Sequence, residues 1–221
     1  MHLKILPKYN MPDKSIISYL EEQLALPLPG QVAQAKMTTR VKFTTTPENA
    51  RLASVLCLLY PKNGAWHLPL IQRVVTKNDK HSGQISFPGG KLESTDVTNQ
   101  AAALREANEE IGIIKEDVRM LGDLTPLYVP ASNFQVFPFI GYLDYAPTFI
   151  RQEREVAEVI EVELNQLIHP KTKKYKTITF GNGYTIKDVP YFDVNGKTVW
   201  GATAMMLSEF VTLINRKKVL P

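Results

Sequence analysis

An α/β fold is predicted for this chain by three observations. Two apolar runs, residues 54–60 and 66–73, flank the turn-forming segment Pro61-Lys62-Asn63-Gly64. A helical pattern follows over residues 97–111. The C-terminal third then alternates short strand candidates with Asn-Gly turns before a closing helical stretch.

In chain order, residues 15–25 have a helical pattern that ends at the Pro-rich break Leu26-Pro27-Leu28-Pro29-Gly30. Residues 1–45 are therefore expected to form an N-terminal extension packed on the core, with residues 46–221 as the main domain. The hairpin begins that core. Residues 74–90 are loop-rich and finish in Ser86-Phe87-Pro88-Gly89-Gly90, where proline and two glycines permit backbone geometry that other residues resist. The helix over 97–111 has Asp96 as its expected N-cap and Gly112 to end it in a left-handed conformation. Strands are expected at 118–127, 135–143, 159–162, 176–180 and 191–194, with turns at Asn182-Gly183 and Asn195-Gly196 and a last helix over 202–215.

Composition narrows the function classes. Across 221 residues, 44% are hydrophobic and 22% charged, which fits an ordinary globular chain rather than a disordered or fibrous one. The apolar runs are far shorter than the ~20 residues of a membrane-spanning helix, and residues 1–7 lack a signal-peptide core, so a cytoplasmic protein without a membrane partner is expected. The single cysteine, Cys57, has no internal disulfide partner and is expected to be a buried small hydrophobe. A net charge of +4 favours anionic partners, yet no basic run is long enough for a nucleic-acid arm. The densest basic stretch, 171–176, reads as a solvated loop.

Chemistry concentrates on the 97–111 helix. At about 100° per residue, Glu106, Glu109 and Glu110 share one side while Leu104, Ala107 and Ile111 gather on the other. Like charges at these spacings cost roughly 0.2–0.5 kcal/mol per pair, so the acidic side invites a cation. Hard carboxylate oxygens suit Mg²⁺ or Mn²⁺, which keep positions for water and phosphate oxygens. An acidic triplet by itself is more often a solvated face, and the flanking sequence must decide. A Walker A loop around Gly89-Gly90-Lys91 is excluded, because Ile85 and Leu92 stand where it needs Gly and Ser or Thr.

The flanking sequence carries a resemblance. The stretch from Gly90 to Asp96, followed by Arg105-Glu106-Ala107-Asn108-Glu109-Glu110-Ile111-Gly112-Ile113, resembles the Nudix box GX5EX7REUXEEXGU. Asp96 replaces the first Glu of the box, and eight residues rather than seven separate it from Arg105. The chain also resembles the coenzyme A pyrophosphatase branch of that superfamily. Its matching segments are Leu70-Ile71-Gln72-Arg73, His81-Ser82-Gly83-Gln84-Ile85-Ser86-Phe87-Pro88-Gly89-Gly90 and Trp200-Gly201-Ala202-Thr203-Ala204. The branch usually has Arg where this chain has Asp79, with Lys77 or Lys80 nearby to replace the charge.

The resemblance implies a Nudix-type α/β/α sandwich around a mixed β-sheet. It implies that Glu106, Glu109 and Glu110 hold Mg²⁺ or Mn²⁺, with Arg105 orienting a carboxylate and the Gly90 carbonyl as a further candidate contact, a plain turn role being its alternative. Glu155 resembles a downstream Glu that serves some members as ligand or base. On the substrate side, Arg73, Lys77 and Lys80 are candidates for phosphate contact, His81 for positioning, and Tyr128, with Phe134, for stacking on a nucleobase. The implied reaction is hydrolysis of coenzyme A to 3′,5′-ADP and 4′-phosphopantetheine. The alternatives are another nucleoside diphosphate derivative, such as ADP-ribose or a dinucleotide, or a non-catalytic binding module of the same fold. The partner expected is a small-molecule diphosphate rather than nucleic acid, and a homodimer is left open.

Overall fold

Strand β1 (Arg51–Lys62) is the axis of the molecule, and residues 56–60 on it are inaccessible to solvent. Such a continuous apolar run demands cover on both faces of the sheet, and the fold supplies it. The computed structural model describes residues 12–39, 43–76, 82–180 and 183–216.

β1 turns into β2 (Ala65–Arg73) through Asn63 and Gly64, both at positive φ (51° and 78°), the geometry that matches strand twist in a two-residue hairpin. The expected turn began two residues earlier. Pro61 and Lys62 instead extend the strand and pair with Trp66 and Ala65. Only the hairpin end of β1 pairs with β2. Further back the two strands part, and a short returning segment occupies the fork: β3 (Ile85–Ser86) pairs with β2, and β4 (Gly89–Lys91) with β1. β3 and all but the last residue of β4 lie within the stretch that sequence pattern assigned to loop.

The other edge of β1 runs parallel to β7 (Phe134–Tyr142), which also pairs with β5 (Arg119–Asp123) and β6 (Leu127–Val129). The single strand expected over 118–127 is thus two, separated by Leu124-Thr125-Pro126, since proline cannot donate to a ladder. β8 (Val156–Glu163) closes the far side of β2, completing a mixed sheet of eight strands.

Helix α3 (Asn99–Ile111) covers one face, setting Ala103, Ala107 and Ile111 on Leu56, Leu58 and Ile71. The opposite face lies under α5 (Gly201–Asn215), with Cys57, Leu59, Leu68 and Leu70 meeting Leu207, Phe210 and Leu213. These layers make the α/β/α sandwich that the resemblance implied. Cys57 is fully buried, and burial pushes its thiol pKa up.

On the α5 side, α1 (Ser15–Leu24) and the short α2 (Gly30–Gln34) insert Ile17, Leu20 and Ala33 into the packed interior. A separate small sheet of β9 (Lys173–Thr179), β10 (Thr185–Val194) and β11 (Lys197–Val199) precedes α5, with the four-residue α4 (Leu164–Leu167) leading into it. The basic 171–176 stretch is therefore mostly strand: Lys174 pairs with Asp193 at 2.5 Å and Lys176 sits over the Tyr191 ring. Among the described residues no helix is long and apolar enough to cross a membrane.

Candidate active site

The fork between β1 and β2 places Gly89 and Gly90 under α3. Gly89 has φ +149°, and a Cβ there would lie 2.3 Å from the Ser54 carbonyl oxygen. A Cβ on Gly90 would lie 2.4 Å from the Glu106 carboxyl carbon. A larger residue at position 89 would push β4 off β1, and one at position 90 would displace the Glu106 carboxylate, so the two glycines keep β4 on β1 and leave room for that carboxylate against it.

α3 starts two residues later than its pattern suggested. Its N-cap is Thr98, whose hydroxyl accepts from the Ala101 N–H at 3.0 Å, and not Asp96. Gly112 ends the helix at φ +71°, as expected. Asp96 instead receives a two-point fork from Arg105, Nε to Oδ1 at 3.0 Å and Nη2 to Oδ2 at 2.9 Å, and accepts from the Glu93 N–H at 2.8 Å. Arg105 holds the Asp96 carboxyl below the usual carboxylate range, and Asp96 in turn keeps the guanidinium firmly charged. This planar pairing is the task for which Arg is built.

From that anchor Arg105 reaches three further acceptors. It lies 3.1 Å from Glu106 Oε1, donates to Glu109 Oε2 at 3.0 Å, and donates to the Lys91 carbonyl at 3.1 Å. One guanidinium thus ties the β4 end to Glu106 and Glu109.

The three glutamates are not one solvated face. Glu109 is the exposed one, its side chain 55% accessible, against 13% for Glu106. Glu110 is 2% accessible and accepts from the Gly89 N–H at 2.8 Å. Burial, then the charges of Glu106 and Glu155, lift its pKa to about 8, against the opposing pull of Gly89 and Arg73. Glu106 is also raised, first by burial, although Arg105 works the other way. A wheel projection sorts residues by angle about one helix and carries no information about β4, which is what covers Glu110.

Glu155 is exposed and precedes β8; its charge acts on both Glu106 and Glu110, so the fold does bring it to the cluster. Arg73, at the end of β2, acts on Glu110 with the opposite sign, while its N–H donates to the Gln84 carbonyl at 3.0 Å. Tyr128 is placed differently. Its hydroxyl donates to Asn133 Oδ1 at 2.9 Å, and its side chain lines a cavity of about 110 Å³ with Trp200 and Met205 rather than joining the carboxylates. Phe134 is half-buried beneath the Arg51 guanidinium, 4.1 Å from its ring centre. Lys77, Asp79, Lys80 and His81 lie outside the described residues, as does Asn182 of the first expected Asn-Gly turn.

Among the described residues no three Asp, Glu, His or Cys side chains close around a common point. The reason is visible in the bonds above: Arg105 engages Glu106 and Glu109, and the Gly89 N–H engages Glu110. The donor set nevertheless fits a hard divalent cation. Glu106 and Glu110 are poorly solvated carboxylates, both raised first by burial, and the charge of Glu106 raises Glu110 further, an arrangement a cation would relieve. Glu109 is tied only by an exposed i,i+4 pair, a class worth about 0.3–0.5 kcal/mol, and so can turn toward an ion at little cost.

Asp96 is the residue whose part the sequence did not disclose, since a carboxylate just ahead of a helix reads as a cap. The available signal was Arg105 nine positions on, the only guanidinium on α3.

Comparison with known proteins identifies the domain. Residues 50–180 match the NUDIX domain model. The uncharacterized Nudix hydrolase NudL of Enterobacter sp. is 32% identical over 187 residues, covering 80% of this chain and 90% of that protein. The protein of the same description from Salmonella paratyphi B is 34% identical over 183 residues with the same coverage. That from Yersinia enterocolitica is 34% identical over 136 residues, covering 62% of this chain and 68% of its own. Members of this family generally use divalent metal ions. With more than half its length in the matched domain, the chain belongs to the Nudix family and is a hydrolase of the kind that cleaves pyrophosphate linkages in nucleoside diphosphate derivatives.

Proposed function

We propose that the substrate is coenzyme A, cleaved at its diphosphate to 3′,5′-ADP and 4′-phosphopantetheine, with Glu106, Glu109 and Glu110 holding Mg²⁺ or Mn²⁺. The observation that carries the metal reading is the pair of desolvated carboxylates, Glu106 and Glu110, pressed against the Gly89-Gly90 backbone. The coenzyme A reading is supported by the three segments at 70–73, 81–90 and 200–204 that resemble the coenzyme A pyrophosphatase branch.

A bound divalent ion supplies Lewis-acid stabilisation of the phosphoryl oxygens and an acidified water. The chain's own residues prepare for it. Arg105, fixed by Asp96, orients Glu106 and Glu109; Gly89 orients Glu110; and Glu155, an exposed carboxylate whose charge acts on Glu106 and Glu110, is the candidate to take a proton from water. Arg73, whose charge acts on Glu110 from the end of β2, is suited to a substrate phosphate oxygen. The Gly90 carbonyl is a further candidate ligand. In this reading the protein acts in the cytoplasm, and residues 1–45 form an extension carried on a catalytic domain of residues 46–221.

The test is a substrate panel of coenzyme A, ADP-ribose, NADH and a diadenosine polyphosphate with Mg²⁺ or Mn²⁺, with Glu109→Gln and Glu110→Gln as controls. Coenzyme A is expected to turn over fastest, and Glu110→Gln to lower kcat by on the order of 10³-fold. Faster turnover of another diphosphate, still lost in the variants, overturns the substrate and keeps the metal site. No turnover of any substrate overturns both.

A further inference from the structure

A polar cleft lies between the main sheet and the small one, and none of the residue roles assigned above falls on its lining. It encloses about 600 Å³, within the range of small-molecule sites, and has Gln72 and Gln84 on one wall and Lys176, Lys197, Thr198 and Trp200 on the other.

Its charges are arranged for an anion. Lys176 Nζ donates to Thr198 Oγ1 at 3.0 Å and lies 5.5 Å from the Tyr191 ring centre; no carboxylate is among its contacts with the described residues. An ammonium has three donors, so Lys176 keeps others for a ligand. Thr198 accepts from Lys176, which frees its own hydroxyl proton to point at an acceptor. Lys197 is held from behind, Nζ to Gln72 Oε1 at 2.9 Å and to Glu158 Oε2 at 2.7 Å. Glu158 offsets one of the two lysines, and the cleft keeps a net positive charge.

Its position ties it to the carboxylate cluster. Gln72 and Arg73 are consecutive at the end of β2 and point to opposite faces of the sheet: Gln72 lines the cleft, and Arg73 acts on Glu110 on the α3 side, so the two sites meet around the end of that strand. The Gln84 carbonyl that accepts the Arg73 N–H belongs to the cleft wall. Lys197, Thr198 and Trp200 all lie beyond residue 180, where the NUDIX match ends. The cleft is therefore built where the shared domain meets a part of this chain outside that match, a place suited to selecting among substrates that share a diphosphate.

We propose that this cleft is a subsite for a phosphomonoester that the substrate carries in addition to its diphosphate. Lys176 and Thr198 bind the phosphate oxygens directly, and Lys197 is the second cation. A phosphomonoester carries about −1.5 to −2 charges and three strong acceptor oxygens, which matches two ammonium groups and a hydroxyl better than a carboxylate does. The inference rests on the diphosphate-hydrolase reading but not on coenzyme A being the molecule cleaved.

The test is titration calorimetry of the full chain with 3′,5′-ADP and 5′-AMP, which differ only in a phosphomonoester. Wild-type protein is expected to bind 3′,5′-ADP at least about 10-fold more tightly, the value of one charge-assisted hydrogen bond. Lys176→Ala is expected to reduce that preference to about 3-fold or less, and Thr198→Val to weaken it. Lys176→Arg should retain most of it, and Lys115→Ala, on an exposed turn, should leave it unchanged. Equal or undetectable binding of the two nucleotides by wild type, or a preference that survives Lys176→Ala, overturns the subsite. If coenzyme A is not hydrolysed while the Lys176-dependent preference holds, the substrate reading fails and the subsite stands.

Discussion

Glu110 and Glu209 are both buried glutamates on long helices, one on each face of the same sheet, and they are treated in opposite ways. Glu209, inaccessible on α5, accepts from the Gly30 N–H (3.0 Å), Gln34 Nε2 (2.9 Å), the Thr125 N–H (3.3 Å) and the Thr125 hydroxyl (2.7 Å). Its carboxylate joins three separate pieces of chain: α2, the β5–β6 connection and α5. Glu110 has one backbone donor, from Gly89, and two other carboxylates whose charges oppose its own. A saturated carboxylate is an internal fastener, whereas an under-satisfied one is costly until something arrives to complete it. The difference separates a charge satisfied within the fold from one left open to a ligand.

Removing the fastener should have the largest effect on stability. Glu209→Ala takes the carboxylate away from four buried or part-buried donors, and a loss of about 3–5 kcal/mol is expected, read as a lower urea midpoint. The detached part should be the N-terminal segment, so hydrogen exchange should rise first across α1 and α2. An unchanged midpoint would show that the two glutamates do not differ as argued.

Glu110 should behave in the reverse sense. Its folded-state pKa, about 8, lies above the ordinary 4.5, so the folded protein holds a proton that the unfolded chain releases. Stability of the metal-free protein is then highest below about pH 4.5 as far as this group is concerned, falls as pH rises toward 8, and levels off above it. The span is on the order of a few kcal/mol. Glu110→Gln, which cannot ionise, should flatten that part of the curve and be more stable than wild type at pH 8. Saturating Mg²⁺ should also flatten it in the wild type by favouring the ionised form. Equilibrium urea unfolding of metal-free protein between pH 5 and 9 tests both, and parallel curves for the two proteins would remove the charge-burial account.

The smallest expected change concerns Asp96, which sharpens the comparison by acting through Arg105. Asp96→Ala should lower kcat by roughly 10–100-fold, the usual effect of losing a partner that orients a ligand. Asp96→Glu, with its carboxylate kept, should recover part of the loss.

Much of this was legible in the sequence. The period of α3, the Asn63-Gly64 turn, the Gly112 stop and the closing α5 are local features, encoded by side-chain pattern and by backbone conformations that few residues adopt. The acidic triplet was legible for the same reason, since three positions on one helix need no tertiary information to be neighbours. β3 and β4 escaped detection because two- and three-residue strands exist only by virtue of the strands they pair with. The bond from the Tyr128 hydroxyl to Asn133 was equally hidden, a contact across a turn that no pattern announces.

By itself, then, the sequence determined which residues bear the charge and which elements carry them, because propensity and spacing act within a few residues of chain. Tertiary structure alone decided how the three glutamates differ. Gly89 and Gly90, drawn into the fork between β1 and β2, bury Glu110, half-bury Glu106 and leave Glu109 in water. Solvation depends on what is packed overhead, and that was set by strand pairings between residues more than thirty positions apart.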